Sequence, residues 1–166
     1  MNLDWIKSLV LFVVLCLAQV LVLNHIHLFG CATPLLYVYF ILSFRRHYPR
    51  WILLLWGFSM GLLLDLFSNT PGVTASALTL LAFLQPHLLA PFVPREAADD
   101  LLPNVPGLGV GKFMLYSFLS ILLFSIVFFS LEMFSFFDPL QWLMNVLGST
   151  VLTFLLVVVI DNVRSR

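Results

Sequence analysis

Residues 50–67 read RWILLLWGFSMGLLLDLF, and this stretch decides the fold. A helix that crosses the hydrocarbon core of a bilayer needs ~20 predominantly apolar residues, with ~17–25 tolerated. The stretch has that length, begins at an arginine and contains one acidic residue, Asp65. We therefore predict that it forms a transmembrane helix.

Five further apolar segments approach the same length. They lie at about 5–23, 30–44, 73–90, 112–132 and 139–161. The segment at 30–44 is short, and Pro34 near its beginning is tolerated because the first amides of a helix have no intrahelical partner. The sequence therefore predicts an all-α polytopic integral membrane protein, with residues 1–166 forming one bundle of six transmembrane helices.

The composition indicates that the bilayer is the main solvent of the chain. The sequence is 61% apolar and 10% charged, and its mean hydropathy is +1.06. A soluble domain has about 25% charged residues, so little of this chain is suited to water. Because the net charge is zero and no basic field covers the chain, we expect no nucleic-acid partner.

All eight basic residues fall on one side of the topology that the apolar segments define. They are Lys7, Arg45, Arg46, Arg50, Arg95, Lys112, Arg164 and Arg166. The turns on the other side, at about 24–33, 68–72 and 134–138, contain no lysine or arginine. Cytoplasmic loops retain positive residues because this bias orients helices during insertion. We therefore predict that both termini, and the long polar loop at 91–111, are cytoplasmic.

The most informative pattern inside a span is Gly57-xxx-Gly61-xxx-Asp65. Steps of four keep the three residues on one helical face, where glycines let a neighbouring backbone approach closely. An ionisable residue inside a span is a functional-site candidate by default. Asp65 has three interpretations: it bonds polar groups at 68–70 and fixes that turn, it binds a partner, or it handles protons or substrate. For the face as a whole we predict helix packing and assembly.

Polar residues form a second stripe in the last span, where Asn145, Ser149 and Thr153 follow one another at intervals of four. Such a stripe should face other helices, since an unpaired amide is costly in hydrocarbon. Gln19 in the first span is a candidate for the same network. Helix packing is the first interpretation. The alternative is a small-molecule transporter subunit or substrate-binding membrane protein, in which these residues and Asp65 surround an outward-open cavity.

Glu132 and Asp138 flank the last outward turn, with phenylalanines at 134, 136 and 137 between them. Aromatic rings accumulate at the membrane–water interface. We predict that this turn is anchored at the interface; contact of Glu132 with an outward partner is the alternative.

The sequence predicts neither a metal centre nor a catalytic site. His25 and His27 have no carboxylate nearby, and His47 and His87 lie apart from them beside the cytoplasmic face. The chain contains no His-Glu-x-x-His motif, and Asp65 has no clear second carboxylate at its depth. We therefore expect a protein that is not an enzyme and that uses no cofactor.

Several short motifs resemble those of a known family. They are 34–37 (PLLY), 61–67 (GLLLDLF), Pro71-Gly72, 75–77 (ASA) and 131–136 (LEMFSF). On these residues, and in its length and six-span topology, the chain resembles the MreD family of rod shape-determining membrane proteins, in the form found in Bacteroidetes.

The resemblance implies a non-enzymatic scaffold in the bacterial cytoplasmic (inner) membrane, which supports lateral peptidoglycan synthesis and rod shape. The implied partners are an MreC-like protein and, through it, actin-like MreB, a RodA-like polymerase and a class B penicillin-binding protein. The bundle would be similar to the substrate-binding subunits of energy-coupling-factor transporters. Within it, Gly57, Gly61 and Asp65 would serve helix packing, while Pro71 and Gly72 would set the turn.

Overall fold

The described part of the chain is built from helices. The structure, a computed structural model, describes residues 2–21, 35–45, 48–69, 71–97, 101, 103, 105–133 and 138–164, and none of these lies in a strand. The helices are α1 Asn2–Leu21, α2 Val38–Leu42, α3 Arg50–Ser68, α4 Val73–Leu89, α5 Val105–Leu108, α6 Val110–Met133 and α7 Pro139–Arg164. A 3-10 turn, Ala90–Phe92, follows α4 directly. The predicted all-α class is confirmed.

Spans three to six of the sequence prediction coincide with the long helices α3, α4, α6 and α7. In the described part of the chain, four stretches are long and apolar enough to cross a membrane. They are Arg50–Phe67, Val73–Phe92, Val110–Glu132 and Pro139–Arg164. The apolar part of α1, Trp5–Leu21, is shorter. Because residues 22–34 lie outside the described residues, the end of span one and the beginning of span two do too.

The long helices pack as two hairpins. The closest partners are α3 and α4, which a tight turn joins, and α6 packs along α7. Contacts between α4 and α6 hold the two hairpins together, and α1 packs against α3. The bundle is therefore centred on α4, which contacts both α3 and α6.

Several polar side chains lie in the core beside the apolar ones, while large apolar side chains cover much of the outer surface. Gln19, Gln85 and Ser117 are buried, whereas Leu66 is 76% exposed and Leu55 is 61% exposed. Large contiguous apolar surfaces are rare on soluble monomers, while lipid tails accept them. The outer surface therefore suits hydrocarbon, as the composition predicts.

Residues 35–45, the central segment, lie inside the bundle and not along its surface. Residues 35–42 are each buried, and α2 accounts for only five of them. Before α2 the backbone forms tighter turns, in which Val38 N–H donates to Leu35 C=O over 3.2 Å. Over its described residues, span two is thus a short buried helical piece. Its neighbours are protein, which can complete backbone groups that lipid would leave unbonded.

Aromatic rings fix the central segment against α1 and α3. The ring centroid of Phe40 lies 5.6 Å from that of Phe12 and 5.7 Å from that of Trp56, and the last two are 5.4 Å apart. Tilted and edge-on aromatic pairs add attraction beyond the area they bury. Phe12, Phe40 and Trp56 therefore hold three elements at a common centre.

One end of the bundle collects the basic residues. Lys7, Arg45, Tyr48 and Arg164 line one pocket, so the beginnings of α1 and α3 meet the ends of α2 and α7 there. Gln85 near the end of α4 contacts both Phe44 and Tyr116, which brings in the beginning of α6. The basic residues on these ends are Lys7, Arg45, Arg50, Arg95, Lys112 and Arg164. We call this the basic end; Arg46 and Arg166 lie outside the described residues.

Candidate functional site

The tightest approach in the molecule is that of α3 and α4 at Gly61. A Cβ atom placed on Gly61 would lie 2.7 Å from the backbone nitrogen of Ala75 and 2.9 Å from the carbonyl carbon of Thr74, and closer still to the Ala75 Cα. Any side chain would therefore force the two backbones apart. The predicted packing role of Gly61 rests on this contact.

Gly57 lies one turn earlier on the same face, where the two helices are slightly farther apart. A Cβ atom there would lie 3.2 Å from the Leu78 carbonyl oxygen and 3.3 Å from the Ala82 Cβ. The Cδ1 of Ile41 would be 3.4 Å away, so this position also faces the central segment. The structure thus brings Gly57 and Gly61 together on the α3 face that packs on α4.

Asp65 completes this face, and its carboxylate caps the first turn of α4. Oδ2 accepts hydrogen bonds from the backbone N–H groups of Gly72 and Ala75, each over 3.1 Å, and Oδ1 accepts one from Thr74 over 3.0 Å. The first amides of a helix have no intrahelical acceptor, and a negative charge at this end also complements the helix dipole. Asp65, only 5% exposed, therefore supplies the cap that Gly72 at the N-cap position cannot.

The turn between the helices requires two residues with left-handed backbone. Asn69 ends α3 with φ 55°, its N–H bonded to the Asp65 carbonyl, and Gly72 precedes α4 with φ 83°. Asparagine and glycine tolerate this conformation better than other residues. Pro71, which is exposed, directly precedes Gly72. Together with Gly57, Gly61 and Asp65, these turn residues form what we call the α3–α4 joint.

The interpretation that Asp65 fixes its turn is the one that the geometry matches. The sequence suggested polar groups at 68–70 as its partners. In the structure the carboxylate bonds the amides of Gly72, Thr74 and Ala75. Thr70 lies outside the described residues. The reason is antiparallel packing, since the last turn of α3 lies beside the first turn of α4.

The polar residues of spans one and six meet at the beginning of the central segment. Thr153 Oγ1 accepts the N–H of Leu35 over 3.0 Å, and Gln19 Oε1 accepts the N–H of Leu36 over 3.2 Å. Buried amides without an acceptor are strongly unfavourable in hydrocarbon. Gln19 and Thr153 thus belong to one network. They accept hydrogen bonds from the backbone N–H groups of the two residues at the beginning of the central segment.

The other end of the central segment is held by residues that the sequence did not single out. Gln85 Nε2 donates to the Phe44 carbonyl over 3.3 Å and to the Tyr116 hydroxyl over 3.2 Å. The Tyr39 hydroxyl donates to Asp161 Oδ1 over 3.1 Å. A glutamine within an apolar span was an available signal for Gln85. No local pattern indicates Tyr39 or Asp161, which are far apart in the sequence.

The remaining predicted residues belong to α6 and α7. Asn145 is half-buried and its Oδ1 accepts a hydrogen bond from Gln141 one turn earlier, over 3.2 Å. Ser149 is fully buried on α7. Glu132 is exposed in the last turn of α6, and the phenylalanine-rich turn after it lies outside the described residues. Asp65 thus bonds the beginning of α4, whereas Asn145 bonds its own helix.

The arrangement provides packing and backbone capping. Its acceptors are directed at N–H groups of the same chain, and among the described residues no group of three histidine, cysteine, aspartate or glutamate side chains could hold a metal ion.

Comparison with known proteins adds no relative. The chain matches no protein-family model, no curated protein and no solved structure. The similarity to MreD proteins and to energy-coupling-factor subunits therefore stays a prediction from the sequence motifs.

Proposed function

We propose that the protein is a non-enzymatic membrane scaffold of the bacterial elongation machinery, which supports lateral peptidoglycan synthesis and rod shape. One observation carries the proposal. Gly61, Asp65 and Gly72, which lie in the motifs that resemble the MreD family, are the residues that lock α3 to α4. Residues that stabilise a rigid helix pair fit a protein whose task is to hold partners in place.

The proposal includes six membrane crossings in the cytoplasmic membrane, with both termini in the cytoplasm. Its support is the basic end, where Lys7, Arg45 and Arg164 line one pocket although they are distant in the sequence. Positive residues accumulate on the cytoplasmic side of membrane proteins. The α3–α4 joint lies at the opposite end, and thus faces outward in this topology.

The proposed partners are an MreC-like protein and, through it, MreB, a RodA-like polymerase and a class B penicillin-binding protein. Contacts with the membrane-embedded partners would be lateral, because the described helices present long apolar faces. On α3, Leu55, Phe58 and Leu62 are exposed on the side turned away from α4. The glycines of the same helix, Gly57 and Gly61, already pack against α4 within the chain.

The substrate-binding alternative is less well supported by the polar residues that it needs. Gln19 bonds the backbone of the central segment, Asp65 caps α4, and Asn145 bonds Gln141 on its own helix. These groups complete the protein itself, so they are not arranged around a common ligand.

Depletion of the protein in its host tests the proposal. We expect rods to become round, and wild-type protein expressed from a plasmid to restore them. After crosslinking in membranes, the tagged protein should co-purify with the MreC-like partner, whereas an unrelated multi-pass protein with the same tag should not. Normal rods after clean deletion, with no paralogue present, would contradict the proposal.

A further inference from the structure

Three cations from three different elements line one pocket at the basic end. Lys7 comes from α1, Arg45 from the end of the central segment and Arg164 from the end of α7, and the pocket measures about 210 Å³. Like charges that converge on a concave site repel one another, and an anion placed among them removes that repulsion. We call this the basic pocket.

Another part of the pocket wall is aromatic and apolar. It includes Phe40, Phe44 and Tyr48. Their rings follow one another, with centroids 5.0 Å apart from Phe40 to Phe44 and 4.6 Å from Phe44 to Tyr48. Phe40 and Phe44 also belong to the buried core, so this wall is continuous with the packed interior. The pocket thus pairs fixed apolar surface with positive charge.

An apolar groove continues from the basic pocket along α1. It measures about 460 Å³ and is lined by Ile6, Val10, Leu11 and Val14 together with the same two cations, Lys7 and Arg164. Ile6, Val10 and Val14 are all exposed. Lys7 and Arg164 therefore stand where a polar pocket meets an apolar groove.

Asp161 and Arg164 on α7 both interact with the side chain of Tyr39, but only Arg164 lines the pocket. Asp161, one turn before Arg164, is 2% exposed and accepts the hydrogen bond of the Tyr39 hydroxyl. Among the described residues that line the pocket, none is acidic. The hydroxyl of Ser43 donates to the Tyr39 carbonyl over 2.7 Å, which fixes the backbone behind the pocket.

We propose that the basic pocket binds the phosphate headgroup of an anionic glycerophospholipid, with one acyl chain in the groove along α1. Basic pockets between transmembrane helices on the cytoplasmic side bind anionic headgroups, and the basic end is that side in the proposed topology. The adjoining groove selects a lipid over free phosphate, because only a lipid fills both parts. The site rests on the proposed membrane insertion and is independent of the proposed cell-wall partners.

Lipid binding to the purified full chain tests the site. In detergent at 0.15 M salt, a condition chosen so that long-range surface attraction is screened, native mass spectrometry compares phosphatidylglycerol with phosphatidylcholine of the same acyl chains. We expect at least ~10-fold tighter binding of phosphatidylglycerol, equivalent to about 1.4 kcal/mol. Equal binding of the two lipids overturns the proposal. Displacement of phosphatidylglycerol by inorganic phosphate at equal concentration also overturns it, in favour of a free phosphate.

Two matched triple variants separate this pocket from general surface charge. The Lys7→Gln/Arg45→Gln/Arg164→Gln variant should lose the preference for phosphatidylglycerol. The Arg50→Gln/Arg95→Gln/Lys112→Gln variant removes the same charge from the same end, outside both lining sets, and should retain it. Equal loss in both variants overturns the proposal.

A charge-conserving variant tests whether the positive charge itself is recognised, and the lipid result is independent of the proposed cell-wall function. Lys7→Arg keeps the charge and should bind phosphatidylglycerol within about twofold of wild type, and a tenfold loss there would contradict recognition by charge. Because binding is measured on purified protein, its failure leaves the depletion phenotype unaffected. Conversely, normal rods after deletion leave the lipid result standing.

Discussion

At Gly61 a single hydrogen atom occupies the place of a side chain, and the backbone of α4 fills the space beyond it. The distance of 2.7 Å from a hypothetical Cβ to Ala75 N is shorter than van der Waals contact allows. At Gly57 the corresponding closest distance is 3.2 Å. The approach of the two helices therefore tightens toward the turn, where Asp65 bonds the same stretch of α4.

Gly61→Ala should lower the free energy of unfolding by roughly 1–3 kcal/mol, the usual cost of inserting a methyl group into packed surroundings. The measurement is unfolding in mild detergent, followed by circular dichroism. Gly111→Ala is the matched control, since a Cβ there meets nothing within 4 Å. Because glycine weakens a helix, the control should be neutral or slightly stabilising. Equal destabilisation by both changes would refute the close contact.

Asp65→Ala should be more damaging than Gly61→Ala, because it leaves the amides of Thr74 and Ala75 in α4, and that of Gly72 just before it, without their acceptor. Each unsatisfied buried group costs about 1–3 kcal/mol. Asp65→Asn keeps one carbonyl oxygen and should fall between wild type and Asp65→Ala. The removal of an exposed carboxylate by Glu96→Ala is the control and should change the unfolding midpoint little. Wild-type stability of Asp65→Ala would contradict the capping role.

At the scale of an element, the central segment is the part of the bundle that depends most on its surroundings. Its helix α2 has five residues, fewer than a helix needs to be stable alone. Side chains from three long helices complete its ends: Gln19 from α1, Thr153 from α7 and Gln85 from α4. The segment is therefore ordered by the bundle, and it ties α1 and α7 to the α3–α4 hairpin in return.

Thr153→Val should lower the free energy of unfolding by about 1–3 kcal/mol, because the change keeps the shape but leaves the Leu35 amide without an acceptor. Thr79→Val is the matched control. The Thr79 hydroxyl donates only to the Ala75 carbonyl of its own helix, over 2.6 Å. Its loss should be nearly neutral, since helix carbonyls already accept backbone bonds. Unfolding in detergent compares the two; a larger effect of Thr79→Val would contradict the role of Thr153.

At the scale of the whole molecule, hydrophobicity differs between the inside and the outside of the bundle, whereas charge differs between its two ends. Apolar side chains cover the outside of the described helices, while small polar ones such as Ser149 and Ser117 lie within. Cations gather at one end, and the α3–α4 joint lies at the other. This combination predicts a fixed orientation across the membrane.

Cysteine labelling tests that orientation. In a background with Cys16→Ala and Cys31→Ala, the Asp138→Cys variant should react with a membrane-impermeant thiol reagent in cells whose outer membrane is permeabilised. The Glu96→Cys variant should react only after the inner membrane is opened as well. Both positions are exposed in the structure, so access depends on the side of the membrane. The reverse pattern would contradict the proposed topology.

The sequence by itself determined the helices and their packing faces where the deciding property is local. Hydropathy and length fixed α3, α4, α6 and α7, and the spacing of Gly57, Gly61 and Asp65 indicated the face that α3 packs on α4. The charge split also predicted that the basic ends of the helices meet, because the lysines and arginines all fall on one side of the predicted membrane topology.

Only the tertiary structure decided which distant groups complete one another. It placed the described part of span two inside the bundle, gave Asp65 the amides of α4 as partners, and joined Tyr39 to Asp161. It also brought Lys7 and Arg164 into one pocket. Hydropathy is a property of each segment alone, whereas a buried hydrogen bond depends on how two backbones approach, and that distance is set by the packing of the whole bundle.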